Sequence, residues 1–163
     1  MDNTHNQKRY FILFILALGA TAIYILPYLR WTYYDPMREA LKLTHMQFGT
    51  LMSAYGISSM ILYFPGGWLA DRISARKLLT FAFATTGILG FFFATYPPFK
   101  MCLVIYLLWG AIATLTFWAA LIKATRDLAS SSEQGRFFGL LEGGRGLLQT
   151  ILSFAILALF NKL

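Results

Sequence analysis

The chain has 163 residues, of which 58% are hydrophobic, 17% aromatic and only 13% charged, with a formal charge of +7. Such a composition excludes an ordinary soluble domain and describes an integral membrane protein. The excess of cations does not point to nucleic acid, because Lys and Arg stand between apolar segments and form no stripe beside an aromatic platform.

In chain order, a polar start with Lys8 and Arg9 leads into an apolar run that predicts a first helix over about 10–29. About twenty residues at 1.5 Å each match a hydrocarbon core of about 30 Å. The run is longer than a signal-peptide core, and no small-residue cleavage site follows it, so it reads as a retained helix. Tyr24 within it is either an interfacial belt residue or part of a cavity wall.

Residues 30–43 mix charges and aromatics and predict a short amphipathic turn at the membrane surface. Thr44 and Gln47 form a Thr-x-x-Gln capping box, so a second helix is expected over about 45–70. Tyr55 and Ser59 share one face of it at i and i+4. Pro65, Gly66 and Gly67 near its end remove a donor and a side-chain wall, which predicts a bend or a close contact.

A third helix is expected over about 78–96, uncharged from Leu78 onward and rich in Phe, hence lipid-facing, and stopped by Pro97 and Pro98. A fourth follows over about 101–122, with Thr114 and Trp118 one turn apart, either facing a cavity or packing against another helix. Cys102 in it cannot form an internal disulfide and reads as a small buried hydrophobe. Ser131 and Gln134 suggest another capping box, ahead of a fifth helix over about 133–160. Gly135, Gly139 and Gly143 space that helix for close approach by another. Glu142 and Arg145 lie inside it, Arg145 about 13 Å from Arg136 along the axis and so near mid-membrane. A guanidinium at that depth has to face protein, water or an anion. Pairing with Glu142 explains it structurally, and a solute pathway explains it functionally; the second is favoured because intramembrane ion pairs are uncommon away from pathways.

Between the second and third helices stands GGWLADRISARK, residues 66–77, the charged punctuation of the apolar run. Gly67, Asp71, Arg72, Arg76 and Lys77, with Leu69 and Ala70, resemble the loop signature between the second and third helices of the major facilitator superfamily. Ser74 and Ala75 stand where that family prefers a glycine and a base. The resemblance covers nearly the whole chain. It implies an all-α integral membrane protein whose five transmembrane helices correspond to an incomplete six-helix N-terminal half, the sixth helix and the second half being absent from the chain. It also implies a conformational-switch role for the loop: Gly67 admitting a neighbouring backbone, Asp71 accepting from a helix end or Arg76, and the cations holding the anionic cytoplasmic face.

The distribution of cations favours a cytoplasmic N-terminus: Lys8, Arg9, Arg72, Arg76, Lys77, Lys123, Arg126 and Arg136 on one side against Arg30, Arg38, Lys42, Lys100 and Lys162 on the other. The expected location is the bacterial inner membrane. The expected function is that of the N-terminal portion of a secondary transporter for a small solute working by alternating access. Arg145 favours an organic anion such as a sugar acid or organic phosphate, with Glu142, Tyr24, Tyr55, Ser59, Thr114 and Trp118 as further candidate contacts. The expected partners are the lipid bilayer, the solute, and either the missing half or a second membrane subunit. The alternative is a non-transporting scaffold or partner subunit that associates through its Gly-rich fifth helix. No enzyme is expected, since no nucleophile with a base, metal cluster or phosphate loop is present, and no metal or cofactor site is expected either.

Overall fold

A computed structural model describes residues 3–160; Lys162, counted above among the outer cations, lies outside them. Every regular element among the described residues is helical: α1 (Asn3–Tyr28), a 3-10 turn (Leu29–Trp31), α2 (Tyr34–Ala40), α3 (His45–Arg72), α4 (Ala75–Phe93), α5 (Phe99–Ile112), a π-helical segment (Ala113–Trp118), α6 (Ala119–Leu128) and α7 (Gln134–Phe160).

The helix starts follow local chemistry. Thr44 caps α3 reciprocally with Gln47, each side chain bonding the other residue's backbone N–H, at 3.2 and 3.0 Å. The later boundaries differ from the expected ones, each for a physical reason. α3 runs on through Asp71 and Arg72, so the charged loop shrinks to Ile73 and Ser74 and two of its charges belong to a helix end. α4 begins at Ala75, three residues early, and ends at Phe93, because Tyr96 takes a left-handed φ of 53° ahead of the two prolines. The fourth span continues unbroken from Phe99 to Leu128 and absorbs Lys123, Arg126 and Asp127. Within it Thr116 donates its hydroxyl to the Ile112 carbonyl at 2.8 Å, a back-bond that competes with the backbone ladder where the helix widens to π geometry. The cap before α7 is not Ser131 with Gln134. Glu133 instead accepts from the Ser130 hydroxyl at 2.6 Å, and Arg9 completes the arrangement.

The chain divides into two compact units, residues 25–120 and the terminal segments up to Tyr24 and from Leu121 onward. In the central unit Phe48, Leu51, Tyr106, Trp109 and Phe117 are fully buried, and Trp109 donates its indole N–H to the Thr86 carbonyl at 3.3 Å, tying α5 to α4. On α4, Phe81, Phe91 and Phe92 are exposed as a lipid-facing surface requires, whereas Phe93 packs on Tyr106 and Trp109 and Phe83 on Phe117. In the terminal unit Ala17 and Ala20 of α1, with Phe137 and Leu141 of α7, are buried, and Tyr10 stacks on Phe137 at 5.4 Å.

Four described helical stretches are long and apolar enough to cross a membrane: Asn6–Trp31, Ala75–Phe93, Phe99–Leu128 and Gln134–Phe160. α3 is longer than most but diluted by Gly, Ser and Tyr. A contact elsewhere in the chain bears on its path. Arg9, at the start of the first span, touches both the Leu128 carbonyl and the Glu133 carboxylate, after the third of those spans. Groups in contact at the membrane surface lie on one side, so the chain crosses an even number of times between them. Three spans are odd, so an even number would need α3 as a further crossing, which labelling at Ser74 and Ser131 tests.

Candidate functional site

The seam between α3 and α5 is set by two glycines. A Cβ on Gly110 would strike the Tyr55 carbonyl and the Ser58 hydroxyl, and a Cβ on Gly66 would stand 2.7 Å from the Thr114 carbonyl oxygen. Only glycine allows this backbone approach on both sides. Ser59 donates its hydroxyl to the Gly110 carbonyl at 3.1 Å, and Ser58 bonds back to the Tyr55 carbonyl at 2.9 Å. Three expected contacts therefore gather at one seam: Tyr55, Ser59 and Thr114. Tyr55 is buried and meets Tyr28 edge-on at 5.6 Å. Thr114 is buried in the π segment, and Trp118, at the end of that segment, is half-buried. The close approach expected at Gly67 falls instead on Gly66; Gly67 points into open space. The reason is angular, since successive helix residues are about 100° apart and only one of two adjacent glycines can face the π-helical segment.

Asp71, Arg72, Arg76 and Lys77 of the charged loop are exposed. Arg72 lies 4.0 Å above the Trp68 ring, one turn back on the same helix. Asp71 is exposed and has no hydrogen-bond or ion-pair partner among the described residues, so none of these fills the acceptor role toward a helix end or Arg76. Arg76 and Lys77 are likewise exposed.

In the terminal unit Arg145 and Glu142 form an ion pair. Nη2 and Nε of Arg145 both donate to a single oxygen of Glu142, at 2.6 and 3.0 Å. The side chains are 35% and 45% exposed, so the pair sits on a helix surface and not in a packed core. Nη1 of Arg145 has no partner among the described residues, so one nitrogen of the guanidinium, with its two N–H groups, is uncommitted. Behind it the Thr21 hydroxyl reaches the Arg145 carbonyl at 3.3 Å. Tyr24, half-buried, ends the same segment of α1.

Sequence reasoning missed two arrangements. Arg30, taken as a loop cation, donates to the Phe48 carbonyl at 2.6 Å and lies over the rings of Phe48 and Tyr34 at 4.4 and 5.5 Å. Its Nε and Nη2 have no hydrogen-bond partner among the described residues. The other is the Arg9 cluster. Glu133 is held down to about 2, first by the Ser130 hydroxyl and then by Arg9. The Ser130-x-x-Glu133 spacing, itself a capping-box pattern, was the available signal.

The family model of the Major Facilitator Superfamily matches residues 9–162. The chain belongs to the major facilitator superfamily. It is 36% identical over 96% of its length to inner membrane protein YqcE of Escherichia coli, covering 36% of that protein. To inner membrane protein YihN of the same organism it is 33% identical over 95% of its length, covering 37%. No solved structure matches. This superfamily chain thus spans about a third of the length of these two relatives. It is a multi-pass, transporter-like protein of the bacterial inner membrane, from a family of transporters and not of enzymes.

Proposed function

We propose that the chain forms the N-terminal portion of a secondary transporter for a small organic anion, working by alternating access with its N-terminus in the cytoplasm. The observation that carries the anionic preference is Arg145, a partly exposed cation inside a membrane-spanning helix that keeps one donor nitrogen uncommitted. Glu142 occupies the other two donors through one oxygen, so it lowers the charge an incoming anion meets and sets how available the fork is. In the central unit Arg30, with its two uncommitted nitrogens, is a second cation able to meet a carboxylate or phosphate. The polar α3–α5 seam of that unit offers shape more than donors, its hydroxyls being spent on backbone carbonyls. Gluconate and glucose 6-phosphate serve as probes: either should raise the thermal midpoint of the full-length protein, and replacing Arg145 by Ala should remove that rise.

A second reading, a scaffold that associates through α7, rests on Gly135, Gly139 and Gly143, beside which a Cβ would meet nothing within 4 Å. Concentration-dependent oligomerisation with no response to either probe would favour it.

A further inference from the structure

We infer that Thr21 is a positioning residue for Arg145, fixing how the helix that carries the guanidinium is turned. The inference rests on the reading of Arg145 as the anion contact but is tested without any anion. Thr21 lies in α1 with 1% of its surface exposed. Its hydroxyl proton is shared between the Ala17 carbonyl of its own helix, at 3.0 Å, and the Arg145 carbonyl of α7, at 3.3 Å. The first bond is the usual local back-bond of a helical threonine; the second crosses 124 residues of sequence. The surroundings are built for this approach. Ala17 and Ala20 are buried, and the neighbouring Gly144 presents so little bulk that a Cβ there would touch the Ala17 methyl at 3.5 Å. Small residues therefore bring the two helices together at the turn that bears Arg145, and there the Thr21 hydroxyl adds a directional contact, several turns from the Tyr10–Phe137 stack.

Orientation matters because the Arg145 carbonyl and its guanidinium belong to one residue, so a turn of α7 moves both. The Arg145 carbonyl is tied back to α1 while the side chain lies at the surface beside Glu142. A helix that advances about 100° and 1.5 Å per residue would carry the guanidinium off its line with a small rotation. Apolar contacts alone permit such a rotation, since methyl groups can slide over one another at little cost, whereas a hydrogen bond between two fixed atoms resists it.

The test uses a reporter at the same backbone position. With Arg145→Cys in a Cys102→Ala background of the full-length protein, the backbone carbonyl at position 145 remains and the new thiol reports accessibility to a water-soluble methanethiosulfonate. Thr21→Val, which keeps the shape and removes the donor, should change the labelling rate by about threefold, the factor expected for loss of one intramembrane hydrogen bond of ordinary strength. Thr21→Ser should restore the parent rate. The rate at a Gly139→Cys reporter should stay unchanged and the thermal midpoint should fall by no more than about 2 °C, which separates a local turn of α7 from general loosening. If Thr21→Val does not insert, Thr21→Ala removes the same donor. Equal labelling at position 145 in the parent and in Thr21→Val, or Thr21→Ala in its place, overturns the inference, as does a failure of Thr21→Ser to restore the rate. Loss of probe binding plays no part in either outcome, so this result and the anion result stand or fall separately.

Discussion

Arg9 and Glu133, separated by 124 residues, hold an ion pair at 2.7 Å, and Arg9 also closes the end of α6 through the Leu128 carbonyl at 2.6 Å. The pair fixes the start of the first span and the turn before α7 on one face of the membrane. Hence Ser74, between α3 and α4, should share that face with Ser131. With single cysteines at these positions in a Cys102→Ala background, an impermeant reagent should label both only from the cytoplasmic side. Labelling of Ser74 from outside the cell, or of the two positions from opposite sides, would overturn the topology and the crossing of α3.

Glu133 gives that pair a defined pH dependence. Its folded-state pKa is lowered from 4.5 to about 2, so its contribution is complete above about pH 4.5 and disappears as the pH falls toward 2. The thermal midpoint of the parent should exceed that of Glu133→Gln by a constant margin at neutral pH, and the margin should close over this window. A margin that does not vary with pH would mean that the carboxylate charge contributes nothing.

Much of this was legible in the chain itself, where the governing interactions are local. The Thr44–Gln47 cap and the apolar spacing of the helices are short-range chemistry, and the loop signature reads directly. Contacts of long sequence separation were not legible. Two adjacent glycines look equivalent until Thr114 and Leu115 of the π segment select Gly66; Arg30 looks like any interfacial cation until Phe48 and Tyr34 enclose it. The π segment was hidden because Thr116 resembles any helical threonine by sequence.

The two glycines make a sharp comparison. In Gly66→Ala the new methyl meets a backbone carbonyl that cannot swing aside, so the cost should be about 1–3 kcal/mol. Gly67→Ala faces open space and should be neutral or stabilising by about 0.5–1 kcal/mol, the ordinary gain of alanine within a helix. Thermal unfolding in detergent ranks the two, and equal losses would place the contact elsewhere.

Asp71 separates stability from switching. Exposed and without a partner among the described residues, it should tolerate Asp71→Asn with a change within about 0.5 kcal/mol in the stability of these helices, as should Ala75→Ser. In the full-length protein Asp71→Asn alone should shift the balance between inward-open and outward-open states, read as spin-label distances across the two faces. Identical distance distributions in the two variants would deny the loop its switching role.

The most direct measurement compares probe binding and thermal stability across Arg145→Ala, Arg145→Lys, Glu142→Gln and the double variant Glu142→Gln with Arg145→Gln, in the full-length protein. With Arg145 as the anion contact, gluconate or glucose 6-phosphate binding is lost in Arg145→Ala and weakened about tenfold or more in Arg145→Lys, which keeps the charge but not the planar fork. Unchanged affinity in Arg145→Ala, together with stability lost in Glu142→Gln and recovered in the double variant, would make the pair a structural strut and contradict an anionic substrate at this position.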